Sequence, residues 1–535
     1  KRCTMETIRN ALRVIRTRFG IPVTECPDLE EHQLGRFLSI LQGDDKERGR
    51  RPFPRQQTRK RDKDGLLELG RLCRRDRWEF AFSVSSIKRN LPRGCPRHSP
   101  TARPDWERVA CSQPPPPSGA YLMFVRKVVR RIFRRNWDKA YGHHVGAHLP
   151  NPSSRLEPMS RADLEWMGRR EEYLRTCTKG RDSTVQVKLR ARYKEVKSTK
   201  TRPLLIYEDE VDVLAPLHRT VYGHLAKTQD WLLVGPPTPK RISDLASVCE
   251  NPMMTSIDLV NATDGLHHDT ADAILDSIFS NSNSGRIPRY VRQLAYASYR
   301  PEFKNSKGRY VRVSHGQMMG AYLSFPLLCL QSYCAAKWAT RQDPVAKMLV
   351  NGDDTLIAGK EAVSESDYPQ GFRLNSTKTV RARDKAEINS TMFLKVGGRW
   401  REVRHLRRGG STSDYAGMLH MAGAAAKAGP QWVNGFTRSR IGRRWGFLPS
   451  QLGHLTYVAY KREVAMLESR NYSPLPERDD GVDFSGLRRI AGDPGPVHAE
   501  RLRSWFWRHG RVGGSKRDAF SPTQGEVRRT YSYIP

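Results

Sequence analysis

The spacing of hydrophobic and polar residues changes along this chain, and the change separates two kinds of region. Between about residues 180 and 400, short apolar runs typical of strands, such as MMTSIDLV and TLIAG, alternate with stretches of helical spacing. This alternation predicts a core of the α/β or α+β class. Beyond about residue 400 the pattern becomes helical and basic, with glycine-rich interruptions.

Two basic amphipathic helices are predicted before that core. The first, METIRNALRVIRTRFG, ends at Gly20, where a glycine favours a helix stop. The second, YLMFVRKVVRRIFRRNW, has arginines and lysines on one face and, on the other, Leu122, Val125, Val129, Ile132 and Phe133. We favour a helix packed on the core with its basic face toward solvent or RNA over a helix that lies on a membrane.

Breaks in composition indicate where the regions meet. The proline spacer QPPPPSG (113–119) is stiff and extended, and the charged segment 47–65 has the composition of a loop or disordered arm. The proline spacer therefore marks the end of a basic N-terminal region, 1–120.

The charge balance is the feature that most restricts function. Lys and Arg number 93 against 56 Asp and Glu, a formal net charge of +37, and this excess repels itself unless a polyanion such as nucleic acid binds. Nine cysteines without a CxxC pair argue against a disulfide framework and for a reducing compartment. The most apolar stretch, 321–336, is too short and too polar to span a bilayer, so we expect no stable membrane insertion.

The sharpest local pattern is AKMLVNGDDTLIAG (346–359). Two apolar strand-like runs flank Asn351-Gly352, a dipeptide that favours a tight hairpin turn with positive φ. Asp353 and Asp354 follow at once, so two carboxylates lie at the tip of a rigid hairpin, where they repel each other. A divalent cation explains this pair better than turn chemistry does, although a solvated turn is the alternative.

A second acidic segment, SIDLVNATDGLHHDTADAILDSIF (256–279), reads as a strand that ends at Asp258, followed by a turn and a helix that begins near Thr263-Asp264. Asp264 is therefore either a helix cap or part of a site. Two acids at strand ends in so basic a chain suggest paired divalent ions, which clamp the attacking and leaving oxygens of a phosphoryl displacement.

Two further segments supply loop and basic residues. In SHGQMMGAYLSFPLLCLQSYCAA (314–336), Gly316 and Gly320 bracket a loop that leads into a helix starting near Ser324, which is either a ligand contact or a capping residue. In RARYKEVKSTKTRPLLIY (190–207), alternation in extended chain places several basic residues on one face, suited to phosphates.

In this order the segments resemble the catalytic motifs of a palm-type RNA-dependent RNA polymerase, most closely those of the ourmia-like viruses (the botourmiavirus family), relatives of narnaviruses and mitoviruses. The motifs that carry the resemblance are KEVKSTKTRPLL, DLVNATDG, GQMMGAYLSFP, NGDD and GFRLNSTKTV. MFLKVGGRW resembles the strand pair that supports the primer end, and DWLLVGPPT (230–238) also looks like this family. The resemblance covers about residues 185–400.

The resemblance implies catalytic roles. Asp258 and Asp353 would ligate two Mg²⁺ ions (Mn²⁺ is the alternative), with Asp354 as the neighbouring metal residue. Lys378 would protonate the leaving pyrophosphate as general acid.

It also implies substrate contacts. The incoming nucleoside triphosphate would be bound by Lys200 and Arg202, with a weaker contribution from Lys197. Asp264 and Ser324 would contact the ribose, and Gly316 and Gly320 would form a mobile loop at the template.

The architecture implied by the resemblance is an α+β right hand: fingers (121–257), a palm with an antiparallel sheet and a fingers insertion (258–400), and a helical basic thumb (401–535). Its partners would be a single-stranded RNA template, the nascent RNA duplex and nucleoside triphosphates. The implied task is replication of a positive-strand RNA virus genome in the host cytoplasm, with the mitochondrion as the alternative compartment.

The sequence departs from the polymerase pattern in places, and two alternative functions remain. Many polymerases of this class carry an Asn on the second motif's helix, whereas the positions on that face here are Leu328, Gln331 and Ser332. His268-Asp269 resembles part of a metal phosphohydrolase signature, but its further partners are missing from matching context. A non-enzymatic RNA-binding protein is the other rival, although it offers no reason for acids at strand tips.

Overall fold

The computed structural model describes eleven segments of the chain: 2–20, 72–86, 101–148, 170–181, 187–197, 201–260, 265–283, 285–317, 319–375, 378–407 and 415–439. The chain divides into two compact units. One comprises 1–99, 198–200 and 403–535, and the other comprises 100–197 and 201–402. Apart from 198–200, the regions predicted as fingers and palm both lie within the second unit. The charged arm predicted at 47–65 lies outside the described residues.

The described helices alternate with strands in the second unit and occur without strands in the first. In chain order they are α1 (Arg2–Phe19), α2 (Arg74–Ser85), α3 (Arg103–Ala110), α4 (Gly119–Ile132), α5 (Tyr141–Ala147), α6 (Arg170–Lys179), α7 (Ala215–Thr228), α8 (Pro239–Ala246), α9 (His268–Ser280), α10 (Arg289–Ala297), α11 (Ser324–Ala339), α12 (Tyr415–Ala428) and α13 (Pro430–Arg438). Two short 3-10 helices span Asp209–Leu214 and Glu365–Asp367.

The strands form three small sheets. In chain order they are β1 (Arg190–Lys197), β2 (Thr201–Tyr207), β3 (Met253–Ile257), β4 (Glu302–Lys304), β5 (Tyr310–Arg312), β6 (Lys347–Asn351), β7 (Asp354–Gly359), β8 (Val380–Ala382), β9 (Lys385–Ile388), β10 (Thr391–Val396) and β11 (Arg399–Glu402). The orders are β2-β1-β4-β5, β6-β7-β3-β8 and β11-β10-β9. Every pairing is antiparallel except β1 with β4. This is the mixed architecture that the alternating pattern predicts.

The core of the second unit is packed around α11. Most of its residues from Pro326 to Ala336 are buried, so the most apolar stretch of the chain is a core helix that is covered on every side. α4 packs on the same core through Tyr121, Val125 and Val129, as its amphipathic pattern predicts, and Ser118 caps its first turn by accepting the Tyr121 N–H.

In the first unit, helices that lie far apart in the sequence pack together. The Phe19 ring at the end of α1 meets the Trp432 ring of α13 edge-on at 5.6 Å, and the Phe80 ring of α2 at the same distance. Arg18 lies 3.2 Å from the Glu79 carboxylate, where burial raises the pKa of Glu79 to about 7 despite that cation. α1 ends before Gly20, whose φ of +72° confirms the predicted stop.

Within the described segments, no helix has the length and apolar character needed to cross a membrane.

Candidate active site

The central sheet brings the two acidic segments together. β3 pairs with β7 up to Ile257 opposite Thr355, which brings Asp258, the residue after β3, close to Asp354, the first residue of β7, where its charge acts on Asp354. Opposite residues on an antiparallel pair share a face, with Cβ atoms about 5 Å apart. Two carboxylates separated by almost a hundred residues of sequence therefore meet at one end of the sheet, because β3 ends and β7 begins there.

The hairpin between β6 and β7 is as tight as the sequence predicts but turns one residue later. Asn351 pairs with Asp354, so the turn residues are Gly352 and Asp353, and only Gly352 adopts a positive φ, +67°. The Asn351 side chain is thereby free to donate to the Leu233 carbonyl at 2.8 Å. Asp353 is held at the tip itself.

Two neighbouring segments fix the hairpin in place. Its turn packs on α11, where the Gly352 N–H donates to Cys329 Sγ at 3.2 Å and the Phe325 ring lies beside the Gly352 Cα. On its other side, Leu232 forms a parallel bridge with Val350, so the DWLLVG segment extends the edge of the sheet. The carboxylates are held by backbone and core packing, not by flexible side chains.

Lys378 lies against these acids. Its Nζ is 3.3 Å from Asp258 Oδ2, and both side chains are partly exposed. The loop that carries it is tied to the end of β3, because the Asn375 N–H donates to the Asp258 carbonyl at 2.8 Å and the Asp258 N–H to Thr379 Oγ1 at 3.4 Å. The structure thus assembles Asp258, Asp353, Asp354 and Lys378 in one place.

The pKa values of the hairpin acids record how crowded they are. Desolvation raises the pKa of Asp354 to about 7, and the nearby Asp353, Asp258 and Glu387 carboxylates add to the rise. The pKa of Asp353 is also raised, first by desolvation of its carboxyl although the residue as a whole is exposed, and then by Asp258. Ionising all these carboxylates together is therefore unfavourable without added positive charge.

Two cations partly offset this repulsion. Arg202 and Lys378 both lower the pKa of Asp353. Arg202, the second residue of β2, is exposed, so the basic segment does reach the acid cluster electrostatically. Lys197 ends β1 opposite Thr201. Lys200, predicted beside them, lies outside the described residues.

Glu387 is a member of the cluster that sequence reasoning missed. It lies on β9, and its N–H donates to Ser256 Oγ at 2.8 Å, which brings β9 beside β3. The Asn389 backbone, in the turn from β9 to β10, hydrogen-bonds to the Asp354 carboxyl and lowers its pKa. The sequence feature that could have indicated Glu387 is an acidic residue between two apolar residues of a strand, Ala386 and Ile388, which are buried.

The glycine loop before α11 has the backbone that glycine allows. Gly316 has a φ of +82°; its N–H donates to the Leu266 carbonyl at 3.0 Å and its carbonyl meets His268 Nε2 at 2.9 Å. Gly320 has a φ of +112°, and a Cβ there would lie 2.3 Å from the Leu205 carbonyl oxygen. Together with the bond from the Leu205 N–H to the Met319 carbonyl, this contact seats the loop on the free edge of β2.

Ser324 is the first residue of α11 and does not cap it, because the N-cap is Leu323, without a side-chain cap. Its hydroxyl is therefore not committed to capping. Gln331 and Ser332, on the same face further along, are fully buried and so are not ribose contacts.

The prediction that a helix begins near Asp264 is wrong. The helix is α9, which begins at His268 with His267 as its N-cap: His267 Nδ1 accepts the Asp269 N–H at 3.1 Å. A histidine ring can replace the predicted aspartate because it too offers an acceptor. Asp264 itself lies outside the described residues.

The structure argues against the phosphohydrolase hypothesis, because His268 is buried and hydrogen-bonded. His268 is 6% exposed, and its Nε2 is committed to the Gly316 carbonyl. Burial lowers the pKa of His268 to about 4, so it is a neutral structural group that holds the glycine loop.

The acid cluster suits a hard divalent cation by its chemistry. Several carboxylates converge here: Asp353, Asp258 and Glu387 all raise the pKa of Asp354, and a cation would relieve that repulsion. Among the described residues, however, no three His, Cys, Asp or Glu side chains are arranged as a formed metal-binding group. Asp258 is paired with Lys378 instead.

Comparison with protein-family models and with curated proteins finds no match to this chain. Its function is therefore argued from the geometry of this site and from the order of its motifs.

Proposed function

We propose that this protein is an RNA-dependent RNA polymerase of the ourmia-like kind, with a right-hand arrangement of fingers, palm and thumb. The observation that carries the proposal is the meeting of Asp258, at the end of β3, with Asp353 and Asp354 on the tight β6–β7 hairpin, beside Lys378. The four residues come from three separate sequence motifs, and the motifs occur in the polymerase order.

Asp258, Asp353 and Asp354 would hold Mg²⁺ (or Mn²⁺), which supplies activation of the primer 3′-hydroxyl and neutralisation of the triphosphate. The protein's part is to keep these carboxylates fixed and close. The Cys329 and Asn351 contacts hold the turn, and the pairing of β3 with β7 keeps Asp258 beside Asp354. Such preorganisation avoids a rearrangement at the moment of reaction.

Arg202 would bind the phosphates of the incoming nucleotide, with Lys200 and Lys197 from the same basic hairpin. Arg202 is exposed, and its charge lowers the pKa of Asp353. A triphosphate bound between the two would therefore contact the Arg202 guanidinium on one side and lie near the carboxylates that would hold the metal on the other. Ser324 and Asp264 would contact the ribose, the group that distinguishes RNA from DNA precursors.

Lys378 would give its proton to the pyrophosphate oxygen as the bond to the α-phosphorus breaks. Its ammonium is 3.3 Å from Asp258, within the cluster where the reaction would take place. If Asp258 bound a metal ion, its ion pair with Lys378 would be weakened. The Lys378 ammonium would then be available to the substrate.

Base choice would rest on pairing with a single-stranded RNA template, so the protein's basic residues would mostly contact backbone. The proposed setting is replication of a positive-strand RNA virus genome in the host cytoplasm.

The test is incorporation of a labelled nucleotide by the full chain on a single-stranded RNA template with Mg²⁺. We expect template-dependent product from the wild type and none from Asp353→Ala. Asp244→Ala, which removes an exposed carboxylate on α8, is the matched control and should retain full activity.

Equal activity in the wild type and Asp353→Ala would remove this carboxylate from the chemistry and contradict the proposal. Product that does not depend on template would do the same.

A further inference from the structure

The four-stranded sheet β2-β1-β4-β5 has two very different faces. One face packs on α3: the Trp106 ring lies 4.8 Å from the Tyr193 ring and 4.8 Å from the Phe303 ring, between centroids. The alternate residues of the same strands point the other way, and most of them are exposed, although Ile206 of β2 is buried and Leu204 and Glu302 are partly buried. Among the described residues, α3 therefore covers the first face, and most of the second face is left exposed.

The open face is strongly basic. The register places residues of one parity from all four strands on it, because paired residues of neighbouring strands point to the same side. Its basic members, all exposed, are Arg190, Arg192, Lys194, Arg202, Lys304 and Arg312. The acid on this face is Glu302, and its Oε1 lies 3.4 Å from Lys188 Nζ in an ion pair.

One aromatic side chain stands among these cations. Tyr310, on the edge strand β5, is 61% exposed, and the Arg190 guanidinium lies 5.5 Å from the centre of its ring. Contact with water does not stabilise the apolar face of a large exposed ring. The same face offers a flat surface on which a base can stack.

The hairpin that carries Tyr310 is held in position. Asn305 Oδ1 accepts the N–H groups of Lys307 and Arg309 across its turn. The Glu107 carboxylate of α3 accepts from the Ser306 N–H and hydroxyl, at 3.2 and 2.8 Å. The hairpin that carries Tyr310 is thus already ordered without a ligand, which lowers the conformational entropy lost on binding.

We propose that the open face, defined by Tyr310, Arg190, Arg192, Lys194, Lys304 and Arg312, is a binding surface for single-stranded RNA separate from the catalytic cluster. Five spread cations match a chain of phosphates, and stacking on the exposed ring needs an unpaired base, which a duplex does not offer. From strand spacing and residue rise, Tyr310 lies roughly 20 Å from Arg202 on the same face. The surface therefore leads away from the acid cluster.

The inference rests on the proposed function only in taking RNA as the polyanion, and its test does not use catalysis. The full chain is titrated into fluorescently labelled single-stranded RNA in the presence of EDTA and without nucleotides, and binding is followed by anisotropy. The Asp353→Ala variant should bind as the wild type does, so loss of polymerase activity and loss of this surface are told apart.

Tyr310→Ala should weaken single-strand binding by roughly tenfold, as expected for one lost base stack, without changing the dependence on salt. Tyr310→Phe keeps the ring and should bind as the wild type does. A hairpin duplex of equal charge should bind Tyr310→Ala and the wild type alike.

The pair Lys304→Ala and Arg312→Ala should lower the slope of log affinity against log salt by about 1.4, which is two single-strand phosphate contacts. The control pair Lys127→Ala and Arg130→Ala removes two exposed charges from α4 instead, and should leave the slope unchanged.

Wild-type affinity in Tyr310→Ala would overturn the proposal, as would an equal loss on single-stranded and duplex RNA, which would mean a surface that contacts phosphate alone. An equal change of slope in the α4 control pair would show diffuse attraction to the whole basic chain.

Discussion

The two four-stranded sheets of the second unit place charge in opposite ways. In β6-β7-β3-β8 the carboxylates lie at strand ends and in a two-residue turn, where side chains from different strands converge. In β2-β1-β4-β5 the cations lie along one face, spaced by the strand period. Convergent charge creates a site for a point charge such as a metal ion, whereas spread charge creates a surface for a polymer.

The two arrangements also differ in their cost to the fold. At the carboxylate end, desolvation and mutual repulsion raise the pKa of Asp354 to about 7. The basic face stays in water, where separated like charges repel weakly. Arg202 and Lys378 relieve the first arrangement in part, since both lower the pKa of Asp353.

The largest effect that would sharpen this comparison concerns Lys378, the cation within the acid cluster. If it acts as general acid, Lys378→Ala should lower the turnover rate by about a hundredfold or more, with little change in the KM for nucleotide. Lys378→Arg keeps the charge but cannot release a proton near neutral pH, so it should be nearly as slow. Single-turnover incorporation measures both.

Lys347→Ala, which removes an exposed lysine at the start of β6, is the control and should keep the wild-type rate. Full activity in Lys378→Arg would show that Lys378 contributes charge alone.

A second prediction concerns the loop that joins the two sheets. Gly320 packs against the Leu205 carbonyl of β2 in a left-handed conformation and leads into α11, which supports the acid turn. Gly320→Ala should lower the free energy of unfolding by about 1–3 kcal/mol, because the new Cβ has no room and the φ is strained. Urea denaturation measures the loss.

Gly142→Ala, at an open helical position of α5, should instead be neutral or stabilise by up to about 1 kcal/mol. A Gly320→Ala protein as stable as Gly142→Ala would mean that the loop is not held on β2.

The smallest expected effect is a pH dependence that belongs to the acid cluster alone. Because the folded-state pKa of Asp354 is raised from 3.8 to about 7, the folded protein holds this proton more tightly than the unfolded chain does. In a metal-free buffer, the contribution of Asp354 to stability should therefore fall as pH rises from about 4 to about 7 and stay low above that range.

The measurement is the difference in melting temperature between the wild type and Asp354→Asn across that range, which cancels other titrating groups. Adding Mg²⁺ should raise the wild-type melting temperature more at pH 8 than at pH 5.5. A difference that does not change with pH would contradict the crowded-carboxylate description.

Local features of this protein could be predicted from the sequence because they depend on neighbours along the chain. The stop of α1 at Gly20, the apolar face of α4 and the tight β6–β7 hairpin all follow from residue spacing and backbone preference. Even there, single residues escaped prediction: the turn lies one residue later, and His267 caps α9 in place of a residue near Asp264.

By itself, the sequence determined the chemical inventory and its order: acids at strand ends, glycines before an apolar helix, and a basic hairpin. Only the tertiary structure decided that Asp258 lies close to Asp354, that Lys378 lies 3.3 Å from Asp258, and that Glu387 joins them. It also decided which face of the basic sheet stays open. These outcomes depend on strand order and on which helix covers which face, and burial across the whole core selects both.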